Sequence, residues 1–219
     1  MREGQKKFVD ETTKSLKSKI PLLVHAPTGI GKTAAALAPA VTYAIENKKK
    51  VLFLTPRHAQ HKIVIDTLKL MAEKYGRTIR IVDLVGKKLL CGLPESELMG
   101  SSEFQDYCKH KRKEKTCALY KNTYPLKEGE LNESAKSIIR FLDNNIMHSD
   151  DAKDKCLEFC PYEIFTHRAK RADVIIADYF HMFHPKIRNA FLNKIKTEIK
   201  DVILIVDEAH NLPARARSL

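Results

Sequence analysis

Five short apolar runs, rich in β-branched residues, punctuate the chain: "PLLVHA" (21–26), "KVLFLT" (50–55), "IRIVDLVG" (79–86), "ADVIIAD" (172–178) and "DVILIVD" (201–207). Their apolar residues are continuous, the pattern of strands covered on both faces. Helical periodicity fills the gaps between the first three. "KTAAALAPAVTYAIEN" follows the first run, and "AQHKIVIDTLKLMAEKYG" follows the second with Ile63, Ile65, Leu68 and Met71 at helical spacing. Pro39 lacks an amide hydrogen and is expected to kink the earlier helix. Strand–helix–strand alternation over short connections predicts an α/β fold built on a parallel sheet.

The pattern breaks at Cys91. Residues 92–159 are polar and turn-rich ("GLPESELMGSSE"), with "AKSIIRFLDN" as the main apolar run. So long a structureless connection does not suit a compact domain. The expected organisation is therefore a sheet domain made of residues 1–90 and 161–219, with 91–160 inserted as a small domain of its own. No internal repeat is present.

Composition narrows the classes. The chain has 219 residues, 43% hydrophobic and 30% charged, enough to bury a sizeable core. No run approaches the length of a membrane span, and the charged N-terminus has no apolar segment behind it, so neither a membrane partner nor a signal peptide is expected. That predicts a reducing compartment, cytoplasmic or, in a eukaryote, nuclear, where the five cysteines would stay out of disulfides. The formal net charge is +12 and uneven: residues 1–91 hold 18 Lys/Arg against 7 Asp/Glu, residues 92–159 hold 11 against 13, and residues 160–219 hold 10 against 7. A polyanionic partner such as nucleic acid follows naturally.

The strongest chemical signal is "VHAPTGIGKTAAAL". A strand is expected to end at Ala26, a turn through Thr28, Gly29, Ile30 and Gly31 to follow, and a helix to begin near Lys32. The glycines let successive N–H groups curl around phosphate oxygens. The helix N-terminus and Lys32 add positive charge, and Thr33 offers a hydroxyl to Mg²⁺. The opening Ala26, in place of the usual glycine, is the form typical of superfamily 2 helicases. "VILIVDEAHNL" supplies the other half: a strand ending in acids puts charge at the carboxyl edge of the sheet, where ligands of such folds bind. Asp207 is the candidate Mg²⁺ holder, Glu208 the group that polarises the attacking water, and His210 the coupling residue. Both halves describe an ATPase core. The thiols, including the pair Cys156 and Cys160, leave two readings open, a metal site or reduced residues in a core.

The ordered set "REGQKKFV", "APTGIGKT", "FLTPRHAQ", "CPYEIFTHRAKRADVIIADYFHMFHPKI" and "VDEAHN" spans almost the whole chain and resembles the XPD family of DNA helicases, which includes the bacterial DinG-like enzymes. The resemblance implies a RecA-like first motor domain in which Gln5 reads adenine. It implies that Thr55, Arg57, His58 and Gln60 contact the DNA backbone. It also implies a four-cysteine [4Fe–4S] cluster in the insert, held by Cys91, Cys108, Cys117 and Cys160, with Cys156 as the extra thiol. The spacings of 17, 9 and 43 residues lack the paired knuckles of simple zinc modules. Such a cluster would replace the apolar core that the insert lacks. The basic run "KHKRKEK" between two of these cysteines adds Lys111, Arg112 and Lys113 as candidate phosphate contacts.

The resemblance further implies ATP-driven 5′ to 3′ movement on single-stranded DNA in excision repair. Partners would be single-stranded DNA and its junctions with duplex, together with an arch domain and a second motor that lie outside this chain. Alone, the chain is expected to bind nucleotide weakly and turn over little ATP. The competing expectations are a non-catalytic junction-binding module, a DinG-like helicase, and a redox protein with a vestigial nucleotide loop.

Overall fold

The computed structural model describes residues 4–27 and 29–217. Its centre is a four-stranded, all-parallel sheet of order β2-β3-β1-β4, with β1 at Lys50–Thr55, β2 at Ile81–Asp83, β3 at Val174–Asp178 and β4 at Val202–Val206. Val51 pairs with Val174 on one side and Ile203 on the other. Because all strands run the same way, Thr55, Asp83, Asp178 and Asp207 collect at one edge.

Alternation along each strand splits the core into two layers. Val51, Phe53, Val174 and Ile176 point to one face. There they meet Leu37, Ala40, Val41 and Ala44 of α2 (Lys32–Glu46), and Val64, Ile65 and Leu68 of α3 (His58–Tyr75). Pro39 sits inside α2, which continues past it to Glu46. Helix α1 (Gln5–Ser18) packs against α2 rather than on the sheet and buries no residue fully. Leu52, Leu54, Ile175 and Ala177 point the other way.

That second layer crosses the boundary expected near residue 160. After a 3-10 turn (Pro94–Leu98) come α4 (Ser101–Lys113), α5 (Ala118–Thr123), α6 (Glu133–Asn144) and α7 (Ser149–Asp154). Ala135, Ile139 and Leu142 of α6 are buried with Ile164, Phe165 and Ala169 of α8 (Pro161–Ala169), in the same core as Leu52 and Leu54. The run "AKSIIRFLDN" thus presents an apolar stripe to the sheet, and the polar excursion proper is roughly residues 92–131. Helices α9 (Phe180–Phe183) and α10 (Pro185–Ile195) complete the layer, and α11 (Leu212–Ala216) follows β4. Among the described residues, no helix is long and apolar enough to cross a membrane.

The expected first strand does not form. Residues 20–26 form no regular element and join no ladder, and Leu22, Leu23 and Val24 are exposed, Leu23 at 90%. Pro21 and Pro27 bracket the segment and donate no backbone hydrogen bonds, and Ser15 Oγ of α1 donates to Ile20 O at 2.6 Å, tying the entry of the segment to the helix. The outer side of β4 accordingly has no neighbouring strand among the described residues, and Leu204 is 40% exposed.

Candidate functional site

Local backbone geometry builds the phosphate loop. Gly29 and Gly31 have φ of 83° and 88°, the left-handed region that a side chain penalises. At Gly31 the limit is also spatial, since an added Cβ would lie 2.5 Å from Gln5 Nε2. The amide of Gln5, expected to read adenine, therefore rests against the loop itself. Lys32 opens α2, and its Nζ donates to Ala26 O at 3.2 Å. Thr33 is half-buried in the first turn. Thr28, expected to contact phosphate, lies outside the described residues, and Ile30 Cδ1 packs 3.2 Å from where a Cβ on Gly4 would sit.

The acids arrive from β4. Asp207 N donates to Leu54 O at 2.9 Å, prolonging the ladder, and Asp207 Oδ1 accepts from Glu208 N at 3.0 Å. Glu208 is held at φ 50°, unusual for a residue with a Cβ. Asn211 keeps it there, donating from its backbone N–H and its Nδ2 to Glu208 O at 2.9 and 3.1 Å. Tyr179, which sequence reasoning missed, donates its hydroxyl to Asp207 O, and the same oxygen lies 2.9 Å from Glu208 O. His210 is exposed, with Nδ1 3.4 Å from Glu208 Oε2. Burial and the neighbouring Glu208 raise the pKa of Asp207, and Lys32 draws it partly back.

The cysteines separate into two groups. Cys91, Cys108, Cys117 and Cys160 line one apolar cavity with Phe104, Tyr107 and Tyr162. Cys156 does not: it is fully buried in the core, with Sγ donating to Ala152 O at 3.4 Å. Four thiols converging from α4, the N-caps of α5 and α8, and the turn after β2 form a donor set suited to a four-iron cluster. Burial raises the pKa of Cys117, and raises those of Cys160 and Cys156 to about 12.

A polar lock beside this cavity was not foreseen from sequence. Glu163, buried on α8, accepts from Tyr124 Oη at 3.0 Å and from Lys194 Nζ at 2.8 Å. Burial alone would raise its pKa, but the Lys194 ammonium and the Tyr124 hydroxyl hold it below the usual carboxylate value. Tyr124 Oη also lies 2.9 Å from His167 Nε2. The pattern had no signal for it beyond isolated polar residues in apolar surroundings.

The expected DNA-contacting residues diverge. Arg57 and Lys113 are exposed. Thr55 is fully buried, and its hydroxyl donates to Arg57 O at 2.9 Å, so it shapes the turn instead of facing outward. Gln60 is half-buried with Oε1 unpaired, and the half-buried His58 packs its ring against those of His61 and His148. Arg112 is turned inward: Nη2 donates to Tyr120 Oη at 3.1 Å and Glu128 Oε1 at 2.9 Å, with the guanidinium 4.4 Å from the Tyr120 ring centre. Lys111 lies 5.3 Å from the Tyr107 ring centre. A charge run in sequence does not reveal which members have internal partners.

Comparison with known proteins agrees with this arrangement. Residues 53–219 match the DEAD_2 family, and residues 2–89 match the DEAD/DEAH box helicase family. The ATP-dependent DNA helicase XPD of Sulfolobus acidocaldarius is 29% identical over 213 residues, which covers 97% of this chain and 33% of that protein. A solved structure described as XPD_Helicase aligns with a TM-score of 0.60 and 28% identity over 97% of this chain and 33% of its own. Another, described as Truncated XPD, aligns with a TM-score of 0.56 and 28% identity over 94% and 52%. The chain spans about a third of the length of the Sulfolobus relative. With the DEAD_2 match running from β1 through both strand-end acids, the chain belongs to the DEAD_2 family, among the helicases of XPD type.

Proposed function

We propose that this chain is the nucleotide-binding, cluster-bearing part of an ATP-dependent DNA helicase that moves 5′ to 3′ on single strands in excision repair. The observation that carries the reading is the phosphate loop itself, in which Gly29 and Gly31 at positive φ lead into Lys32 at the first position of α2. When ATP binds, Lys32 Nζ exchanges Ala26 O for phosphate oxygens, and the N–H groups of Gly29 to Thr33 cradle the phosphates. Thr33 and Asp207 are the residues that would hold Mg²⁺, which neutralises phosphate charge. Glu208 orients the attacking water and accepts its proton, and His210 beside it passes the change onward.

Cys91, Cys108, Cys117 and Cys160 would hold a [4Fe–4S] cluster, whose contribution is a covalent cross-link for a segment with little apolar core of its own. Arg57 and Lys113 are the contacts we assign to the DNA backbone. The XPD relative carries twice as much sequence again beyond what it shares with this chain. A second set of cations from such a region would be needed for rapid phosphoryl transfer, so the 219-residue chain is expected to bind ATP and hydrolyse it slowly.

The test is titration with a fluorescent ATP analogue and Mg²⁺. Lys32→Ala removes charge-assisted hydrogen bonds worth about 1.5–3 kcal/mol and should weaken binding at least about tenfold, while Asp207→Asn should abolish the Mg²⁺ dependence. Equal binding by wild type and Lys32→Ala would overturn the nucleotide site. DNA affinity indifferent both to ATP and to Lys32→Ala would favour the junction-binding module instead.

A further inference from the structure

One group of titratable side chains takes no part in the nucleotide or cysteine sites. His58 opens α3, Asp83 ends β2, and His148 immediately precedes α7. A donor atom from each lies within 4.8 Å of the others. His148 Nε2 is 3.5 Å from Asp83 Oδ2, and the His58 and His148 rings stack with centres 4.7 Å apart.

The surroundings are arranged as supporting partners of a metal site commonly are. His61 Nδ1 lies 2.5 Å from Asp83 Oδ1, both residues being about 1% exposed, and this fixes the carboxylate plane. Ser149 N donates to Asp83 Oδ2 at 2.7 Å, and Ser149 Oγ lies 2.8 Å from His58 Nε2. If His58 Nε2–H donates to that hydroxyl, the ring's lone pair is left on Nδ1. Meanwhile His148 Nε2 is buried and makes no hydrogen bond, with Asp83 Oδ2 3.5 Å away. Buried polar atoms are nearly always satisfied, so an imidazole nitrogen without a hydrogen bond beside a buried carboxylate calls for a ligand. His58 and His61 also line a cavity of about 190 Å³, room enough for solvent to supply a further donor.

We propose that His58, Asp83 and His148 form a binding site for a divalent late transition metal, with Zn²⁺ the best match to a two-histidine, one-carboxylate set with an open position. The donors come from a helix start, a strand end and the segment leading into α7. A bound ion therefore pins residues 148–154 to the carboxyl edge of the sheet. The site is separate from the four cysteines in residues and in chemistry, and it goes beyond the helicase reading.

The experiment uses the full chain, stripped with chelator and then dialysed against Zn²⁺, with zinc and iron counted per chain and the melting temperature recorded. Wild type should hold one zinc more than His148→Ala or His58→Ala, and zinc should raise its melting temperature. The variants should bind that zinc at least about tenfold more weakly, with wild-type iron content. Co²⁺ in place of Zn²⁺ separates this site from the thiols: nitrogen and oxygen ligation gives visible bands without the near-ultraviolet charge transfer of thiolate. Zinc content and stabilisation unchanged in His148→Ala, a protein whose melting temperature in chelator equals wild type, would overturn the site. So would cobalt spectra dominated by thiolate transitions in both proteins.

Discussion

Two thiols four positions apart have opposite surroundings, and a single-atom change separates them. Cys160 faces the shared cavity at the N-cap of α8, whereas Cys156 is enclosed among Ala152, Phe159 and their neighbours. Cys160→Ser should therefore lower iron from about four per chain, while Cys156→Ser should keep it and lose only stability. Iron and acid-labile sulfide assays on anaerobically purified protein check both. Sequence left the pair unresolved, because spacing does not reveal which way a side chain points at a helix start. His167 gives a pH signature of its own. Burial and then Lys170 lower its pKa from 6.5 to about 4, so the fold binds the neutral ring. That stability is fully present above about pH 6.5 and is lost as pH falls toward 4, where the unfolded chain holds a proton that the native one does not. His58 is lowered in the same direction. His167→Gln should therefore flatten, without abolishing, the fall in melting temperature between pH 6.5 and 4.

Elements were legible where burial is symmetric and illegible where it depends on distant partners. Four of the five expected strands formed, because runs such as "VIIA" leave no polar position for water on either face. The run at 21–26 is also mostly apolar, yet composition cannot supply the ladder that makes a strand, and Leu22, Leu23 and Val24 stay exposed. The phosphate loop was readable because its glycines act locally through φ. Arg168 was not, since its partners come from 25 to 87 residues away. Its Nη2 donates to Ile81 O at 2.9 Å and Leu142 O at 2.6 Å, and its Nε donates to Asp143 Oδ1 at 3.0 Å. It thus fastens α6 and α8 to the start of β2. Arg168→Met strands two buried carbonyls and leaves the half-buried Asp143 carboxylate with only the exposed Arg171, and should cost about 3 kcal/mol in urea unfolding. Arg171 binds the other oxygen of Asp143 at 2.9 Å but is 55% exposed, so Arg171→Ala should cost about 1 kcal/mol or less. Equal costs would mean that the clamp does not join the layers.

At the scale of the whole molecule, the question is where a net charge of +12 acts. The excess of Lys and Arg lies in residues 1–91, while the most conspicuous basic run lies elsewhere, in α4. The structure divides these charges by whether they already have partners. Arg112 is engaged by Tyr120 and Glu128, so its charge already has partners within the chain. Arg57 is exposed at the turn after β1, on the same edge as the nucleotide residues. Single-strand binding should show a log–log salt slope of about −0.7 per neutralised phosphate. Arg57→Ala should reduce its magnitude by roughly that unit for one lost contact. Arg112→Ala should leave the slope unchanged and instead loosen the segment around the cysteines, lowering iron retention. The reverse result, a shallower slope for Arg112→Ala and none for Arg57→Ala, would require the α4 helix to unfold its internal pairs on DNA. The binding face would then belong to the cysteine segment and not to the sheet edge.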